Sequence, residues 1–245
     1  MYSVFFKIFL KTCQMIKQDP IICLPYVMLQ MGVILVTHMS FPIHVNKDSL
    51  VVFGLIEWLL PVLVIQPIII LMGLRLVQKK KRNDAQNVAI YTQSLWPFFV
   101  VSLLNKPMYL VSVKMLMGMI NKDTTEIAFT GNITLAMGLF FGSIVIGFLI
   151  LFFQPYYYTA KKVEPIMVGL TKVVRVVLQF KWIMLSFILH YFIIVFFVQT
   201  IGIGAIASLF PTHVALLFVA MISGIERTLF QLFILRIYLY IKPLI

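Results

Sequence analysis

Five ionisable residues interrupt long apolar runs in this chain: Glu57, Lys106, Lys114, Glu226 and Arg227. A lysine, arginine or aspartate at the centre of a membrane-spanning helix costs about 2.5–3.5 kcal/mol even on the lower scales, so such groups pair or face water. Two kinds of chemistry are open to them. They can tie helices together, or line a polar cavity for a solute or proton. Glu57 and Lys114 each fall about six residues inside the outer end of a span, roughly 9 Å down by helical rise, where they can meet. Lys106 and Glu226 fall nearer mid-depth, and His190 is a lesser candidate of the same kind. Pro61, Pro67 and Pro107 can kink helices and free carbonyls around a cavity. The tie is the preferred reading, because a proton-coupled pump is expected to carry more than two buried carboxylates.

Other constellations are missing from the sequence. It has no HExxH pair, phosphate-binding glycine loop, CxxC pair or GxSxG elbow. No catalytic residue, metal or cofactor is therefore expected. His38, His44 and His213 could gather on the outer side, where three imidazoles can bind a metal, but histidines wetted at the interface are the plainer account. Cys13 and Cys23 read as two small apolar side chains rather than a disulfide. Gly138, Gly142, Gly202 and Gly204 read as sites of close helix packing.

Whatever these residues do, long apolar elements must hold them. The chain has 245 residues, 62% hydrophobic and 11% charged, with a mean hydropathy of +1.03. Soluble domains are roughly 45–50% apolar and about 25% charged. Several runs reach the ~20 residues needed to cross a bilayer, and none alternates as a barrel strand does. The sequence predicts an all-α polytopic bundle with about six spans: 21–41, 51–78, 97–120, 132–156, 182–209 and 214–241.

The connecting segments sort by charge. Lys7, Lys11 and Lys17 precede the first span, and Lys79, Lys80, Lys81 and Arg82 follow the second. Lys161, Lys162, Lys172, Arg175 and Lys181 separate the fourth and fifth, and Lys242 ends the sixth. The other side holds Lys47 and Lys122, with Asp48, Asp123 and Glu126 nearby. Basic loops mark the cytoplasmic side, so both termini are expected there. The net charge of +12 is accounted for by these loops and not by nucleic-acid binding.

Between the loops and the spans lie amphipathic stretches. Residues 2–18 place Phe5, Phe6, Phe9, Cys13 and Ile16 on one helical face and Lys7, Lys11, Gln14 and Lys17 on another. Such a helix suits the membrane interface. Asp19 is placed to cap the next helix and Pro20 to occupy its first turn. Val163, Ile166, Met167, Leu170, Val173, Val174, Val177 and Leu178 repeat the pattern before Lys181-Trp182. A weaker version runs from Asp84 through Val88, Tyr91 and Leu95 to Trp96-Pro97. A surface helix followed by a hairpin thus recurs at a period of about 80 residues, as repeats 1–78, 84–156 and 163–245 of one membrane domain.

With KTCQMIKQDPIICLPYVML near the start and GLTKVVRVVLQFKWIMLSFIL in the last third, the chain resembles a broad group of bacterial six-span membrane proteins. The group includes the membrane domain of some glycerophosphodiester phosphodiesterases and looser Yip1-like relatives. The resemblance implies the bundle; no phosphodiesterase domain accompanies it, so that activity does not carry over. The expectation is a non-enzymatic cell-membrane protein that acts through lipid contact or as the membrane partner of another protein. Lys7, Lys11, Lys17, Lys79, Lys80, Lys81 and Arg82 would meet anionic headgroups at the inner face, each worth about 1 kcal/mol near the surface. The alternative is a transporter or permease subunit whose path is lined by Glu57, Lys106, Lys114 and Glu226, energised by a partner ATPase.

Overall fold

The computed structural model describes residues 2–38, 59–78, 92, 99, 105, 108, 111, 133–159 and 165–242, and among them every element is helical. Helix α1 (Tyr2–Gln18) is followed by a single 3₁₀ turn, Pro20–Cys23, and then by α2 (Leu24–His38). The chain bends by 102° between Val4–Gln18 and Pro20–Leu35. Pro20 opens the new turn, where its missing N–H costs nothing. The Asp19 side chain does not cap that turn as its type predicted. Its backbone does the work instead: the Ile22 N–H donates to the Asp19 carbonyl at 3.3 Å, and the Asp19 N–H to the Met15 carbonyl at 3.0 Å.

Residues 59–78 form one apolar rod that contains a π-helical turn, Pro61–Ile65, before α3 (Gln66–Gln78). Then come α4 (Ile133–Thr159), α5 (Ile166–Gln179), α6 (Lys181–Leu209) and α7 (Thr212–Ile241). Three of these are long and apolar enough to cross a membrane, over Leu135–Thr159, Lys181–Ile206 and Val214–Ile241. The bent α1–α2 pair makes a fourth if it is counted as one span. The expected third span, the start of the second, and the stretch from Asp84 to Pro97 lie outside the described residues apart from single positions.

Helix α7 is the centre of the bundle. From Gln231 to Leu235, and again at Ile237 and Tyr238, it is buried on every side, as a helix with apolar residues all round must be. One cluster joins it to α1, α4, α5 and α6 through Phe5, Phe153, Val173, Phe187 and Phe233. A second joins it to α1, α2, α3 and α4 through Met15, Tyr26, Ile69, Tyr158 and Leu232. Aromatic rings fill the first: Phe5 meets Phe233 edge-on at 5.5 Å, and Tyr191 stacks on Phe233 at 5.3 Å.

The two short amphipathic helices dock by narrower faces than their patterns predicted. Phe5, Ile8 and Met15 carry α1 onto the bundle, whereas Phe6 is 56% exposed and points outward with Lys7 and Lys11. Gly169, Val173 and Val176 carry α5, whereas Met167 and Leu178 face out. Gly169 sits against the end of α4: a Cβ there would lie 2.9 Å from Tyr157 and 3.4 Å from Tyr156. Of the glycines expected to allow close packing, Gly138, Gly202 and Gly204 have nothing within 4 Å of a Cβ, and Gly142 meets Met108 at 3.3 Å. Gly142 thus lies in close contact with position 108, as its small size allows, whereas no described side chain crowds Gly138, Gly202 or Gly204.

One end of the bundle is basic. The C-terminal ends of α3, α4 and α7, the start of α6, and the surface helices α1 and α5 gather there with every described lysine and arginine except Arg227. The Lys242 ammonium donates to the Thr159 carbonyl at 2.9 Å, placing a cation on the negative end of α4. Lys242→Met is expected to lower stability in detergent by about 1 kcal/mol, with Lys242→Arg recovering most of it. An unchanged melting temperature in Lys242→Met would show that this contact carries no weight.

Candidate functional site

Of the charged residues expected inside the membrane, the structure describes Glu226 and Arg227; Glu57, Lys106 and Lys114 lie outside the described residues, and with them the proposed Glu57–Lys114 tie. Glu226 sits midway along α7 and is half-buried against α6. Gln199 of α6 donates from Nε2 to the Glu226 carboxylate, and the Tyr191 hydroxyl donates to the Glu226 backbone carbonyl at 2.8 Å. An amide rather than a cation therefore holds this carboxylate. Arg227 is brought beside it by sequence alone: its side chain is exposed, though close enough for its charge to act on Glu226.

His190 stands at the junction of α6 and α1. Its Nδ1 lies 2.6 Å from the Ser186 carbonyl oxygen, and its ring is 5.3 Å from that of Phe5. The side chains of His38, His44 and His213 lie outside the described residues, and among those described no three metal-ligating groups come together. Cys13 and Cys23 are both free thiols. Burial pushes the Cys13 thiol above its ordinary value, which keeps it protonated and unreactive near neutral pH.

The lipid-contact candidates are described in part. Lys7, Lys11 and Lys17 are exposed along α1, and Leu10, also exposed, shares their side with Phe6. Lys79, Lys80, Lys81 and Arg82 lie outside the described residues. Helix α5 adds exposed Lys172 and Arg175 beside Met167 and Val168. Where α5 turns into α6, Trp182 is 72% exposed, with the Lys181 ammonium 5.7 Å from its ring centroid. A tryptophan with a lysine at a helix start is the side-chain pair favoured at headgroup level.

Reasoning over charges alone passed by the uncharged polar groups in the centre. Gln154 of α4 is 0% exposed and donates from Nε2 to the Val62 carbonyl at 3.0 Å. The reason lies in the π turn. In that turn the Gln66 N–H reaches Pro61, so Val62 would have to bond residue 67, which is a proline without an N–H. Gln154 supplies the missing donor. The Tyr26 hydroxyl of α2 lies within hydrogen-bonding reach of the side chains of Gln66 and Gln231, and Cys23 within reach of Thr228. A second oversight is Arg236, half-buried beneath α1, whose Nε donates to the Met15 sulfur at 3.2 Å. The sequence signals were a glutamine directly before a proline, in FFQPYYY, and an arginine within the apolar run FILRIYLY.

No family model, curated protein or solved structure matches this chain.

Proposed function

We propose that this is a non-enzymatic multi-pass membrane protein, with six spans and both termini in the cytoplasm, whose basic end contacts anionic lipid headgroups. The observation that carries the reading is the outward faces of α1 and α5. Each helix docks on the bundle by one strip and turns outward a mixture of basic and large apolar side chains: Phe6, Leu10, Lys7 and Lys11 on α1, and Met167, Val168, Lys172 and Arg175 on α5. Water alone would disfavour the apolar members and hydrocarbon alone the basic ones. A headgroup layer above acyl chains accommodates both. The 102° bend after α1 lays that helix along the interface if α2 spans. The clustering of cations at the same end fits a cytoplasmic orientation.

The test uses the full chain in neutral detergent. Anionic phosphatidylglycerol is expected to raise the melting temperature more than zwitterionic phosphatidylcholine does. The excess should shrink towards 1 M salt, where charges are screened beyond roughly 3 Å. Replacing Lys7, Lys11 and Lys17 together with Gln should remove most of the excess, about 1 kcal/mol per lysine at low salt. Equal shifts from both lipids, at low and high salt alike, would defeat the reading.

A further inference from the structure

Arg236 brings a guanidinium with five N–H donors, and the bundle meets one of them, weakly. Its Nε donates to the Met15 sulfur of α1 at 3.2 Å, and a thioether is a poor acceptor. Among the described residues it has no other hydrogen bond, and no carboxylate lies within ion-pair distance. Its terminal nitrogens, though unpartnered, are not sealed off from the surroundings. A half-buried guanidinium is costly to keep unless an anion reaches its open end.

The depth of that open end follows from α1. The Phe5 ring packs on Phe233 at 5.5 Å, and further along the same helix Met15 holds Arg236. Those contacts lie roughly 15 Å apart along α1 but only about 4.5 Å apart along α7, so the two helices cross steeply. Helix α1 thus lies across the bundle at the level of Phe233 and Arg236. From Thr212, where α7 begins, to Phe233 the helix rises roughly 32 Å, close to the ~30 Å of bilayer hydrocarbon. With α7 as a span, Arg236 stands just past the hydrocarbon edge at the basic end, where the headgroup layer begins. Lys11 is exposed one turn back from Met15 on the same strip of α1, so a second cation stands beside the Met15–Arg236 contact.

The donor geometry names the occupant. The terminal edge of a guanidinium presents two parallel N–H groups that match two oxygens of a phosphate. At this depth a phosphate comes attached to lipid. We propose that Arg236, flanked by Lys11, is a binding site for the phosphate of one phospholipid. Phosphatidylcholine and phosphatidylglycerol share that phosphate, so the site is distinct from a diffuse attraction of the basic surface for net anionic lipid. It rests on the reading of this end as lipid-facing, but it requires one retained lipid rather than an excess of anionic over zwitterionic binding.

Native mass spectrometry of the full chain, released from neutral detergent after incubation with phosphatidylcholine, tests it. One retained lipid per chain is expected, and diacylglycerol, which lacks the phosphate, should leave none. Inorganic phosphate held as firmly as the lipid would assign the site to the free ion instead. Arg236→Gln should cut lipid retention about tenfold, the worth of one charge-assisted hydrogen bond. Should that variant not fold, Arg236→Lys is read in its place; it keeps the charge, loses the paired donors and should also retain less lipid. Unchanged retention in the variant that folds, or diacylglycerol retained as well as phosphatidylcholine, would overturn the proposal. Such a failure beside a surviving anionic excess leaves the surface reading standing. A lipid held at Arg236 without any anionic excess does the reverse.

Discussion

Gly224→Ala is expected to destabilise the protein, while the same change at Gly202 stabilises it slightly. Both glycines lie inside long helices, where alanine is favoured by about 1 kcal/mol. At Gly202 nothing lies within 4 Å of the added methyl, so that gain is realised. At Gly224 the methyl would stand 2.6 Å from the Val27 Cα and 2.7 Å from the Val27 nitrogen, far inside the roughly 3.5–4.0 Å of a favourable contact. The obstacle is backbone, which cannot rotate aside. Helices α2 and α7 would have to separate, disturbing the Cys23–Thr228 and Tyr26–Gln231 contacts along the same seam. Overpacking costs about 1–3 kcal/mol, which outweighs the propensity gain, and Gly224→Leu should cost more. Melting temperatures of the two alanine variants in the same detergent decide it. A Gly224→Ala protein as stable as Gly202→Ala would show that α2 and α7 do not cross this closely.

Opposite signs for one substitution illustrate what the sequence could tell. The apolar runs were legible: 132–156, 182–209 and 214–241 correspond to Ile133–Thr159, Lys181–Leu209 and Thr212–Ile241. The turn at Asp19-Pro20 was legible too, because an abrupt change from polar to apolar residues at a proline has few other solutions. Contact faces were not. In water, an amphipathic helix has one face for apolar groups, and the pattern identifies it. At a membrane the bundle and the acyl chains both accept apolar side chains, so Phe6 and Met167 match the pattern as well as Phe5 and Val173 while pointing elsewhere. Glycines in α6 and α7 look alike in sequence, yet only the crossing partner gives Gly224 its role.

The central amides were hidden for a related reason. A search for intramembrane function weighs charges, whose transfer cost is large, and Glu226 and Arg227 stand out accordingly. Glutamine is cheap enough to pass inside an apolar run. Its importance here follows from the Val62 carbonyl, 92 residues away in sequence, which a π turn and Pro67 leave open, a relation that no local pattern contains. Arg236 and Lys242 were obscured differently. Near the inner end of a span, a cation that packs on Met15 or closes the end of α4 looks the same as one that only sets topology.

The relation between Gln154 and Pro67 gives the second large effect. Gln154→Leu should lower stability by about 1–3 kcal/mol, the cost of leaving a buried acceptor unmet. Side-chain hydrogen bonds inside membranes average nearer 0.6 kcal/mol, because the broken groups usually find other partners. The Val62 carbonyl is poorly placed to do so. Its π-register donor is Pro67, which has none, and the Gln66 N–H is engaged by Pro61. The upper part of the range is therefore expected. Pro67→Ala alone removes a buried ring and should be mildly destabilising. In the double variant, however, the new N–H at position 67 can reach the Val62 carbonyl in the i to i+5 register and replace the lost donor. Gln154→Leu should then cost much less in the Pro67→Ala background than in the parent. A double-mutant cycle by thermal or denaturant unfolding measures that coupling. Costs that add to within a few tenths of a kcal/mol would mean that Gln154 is not the donor completing the π turn.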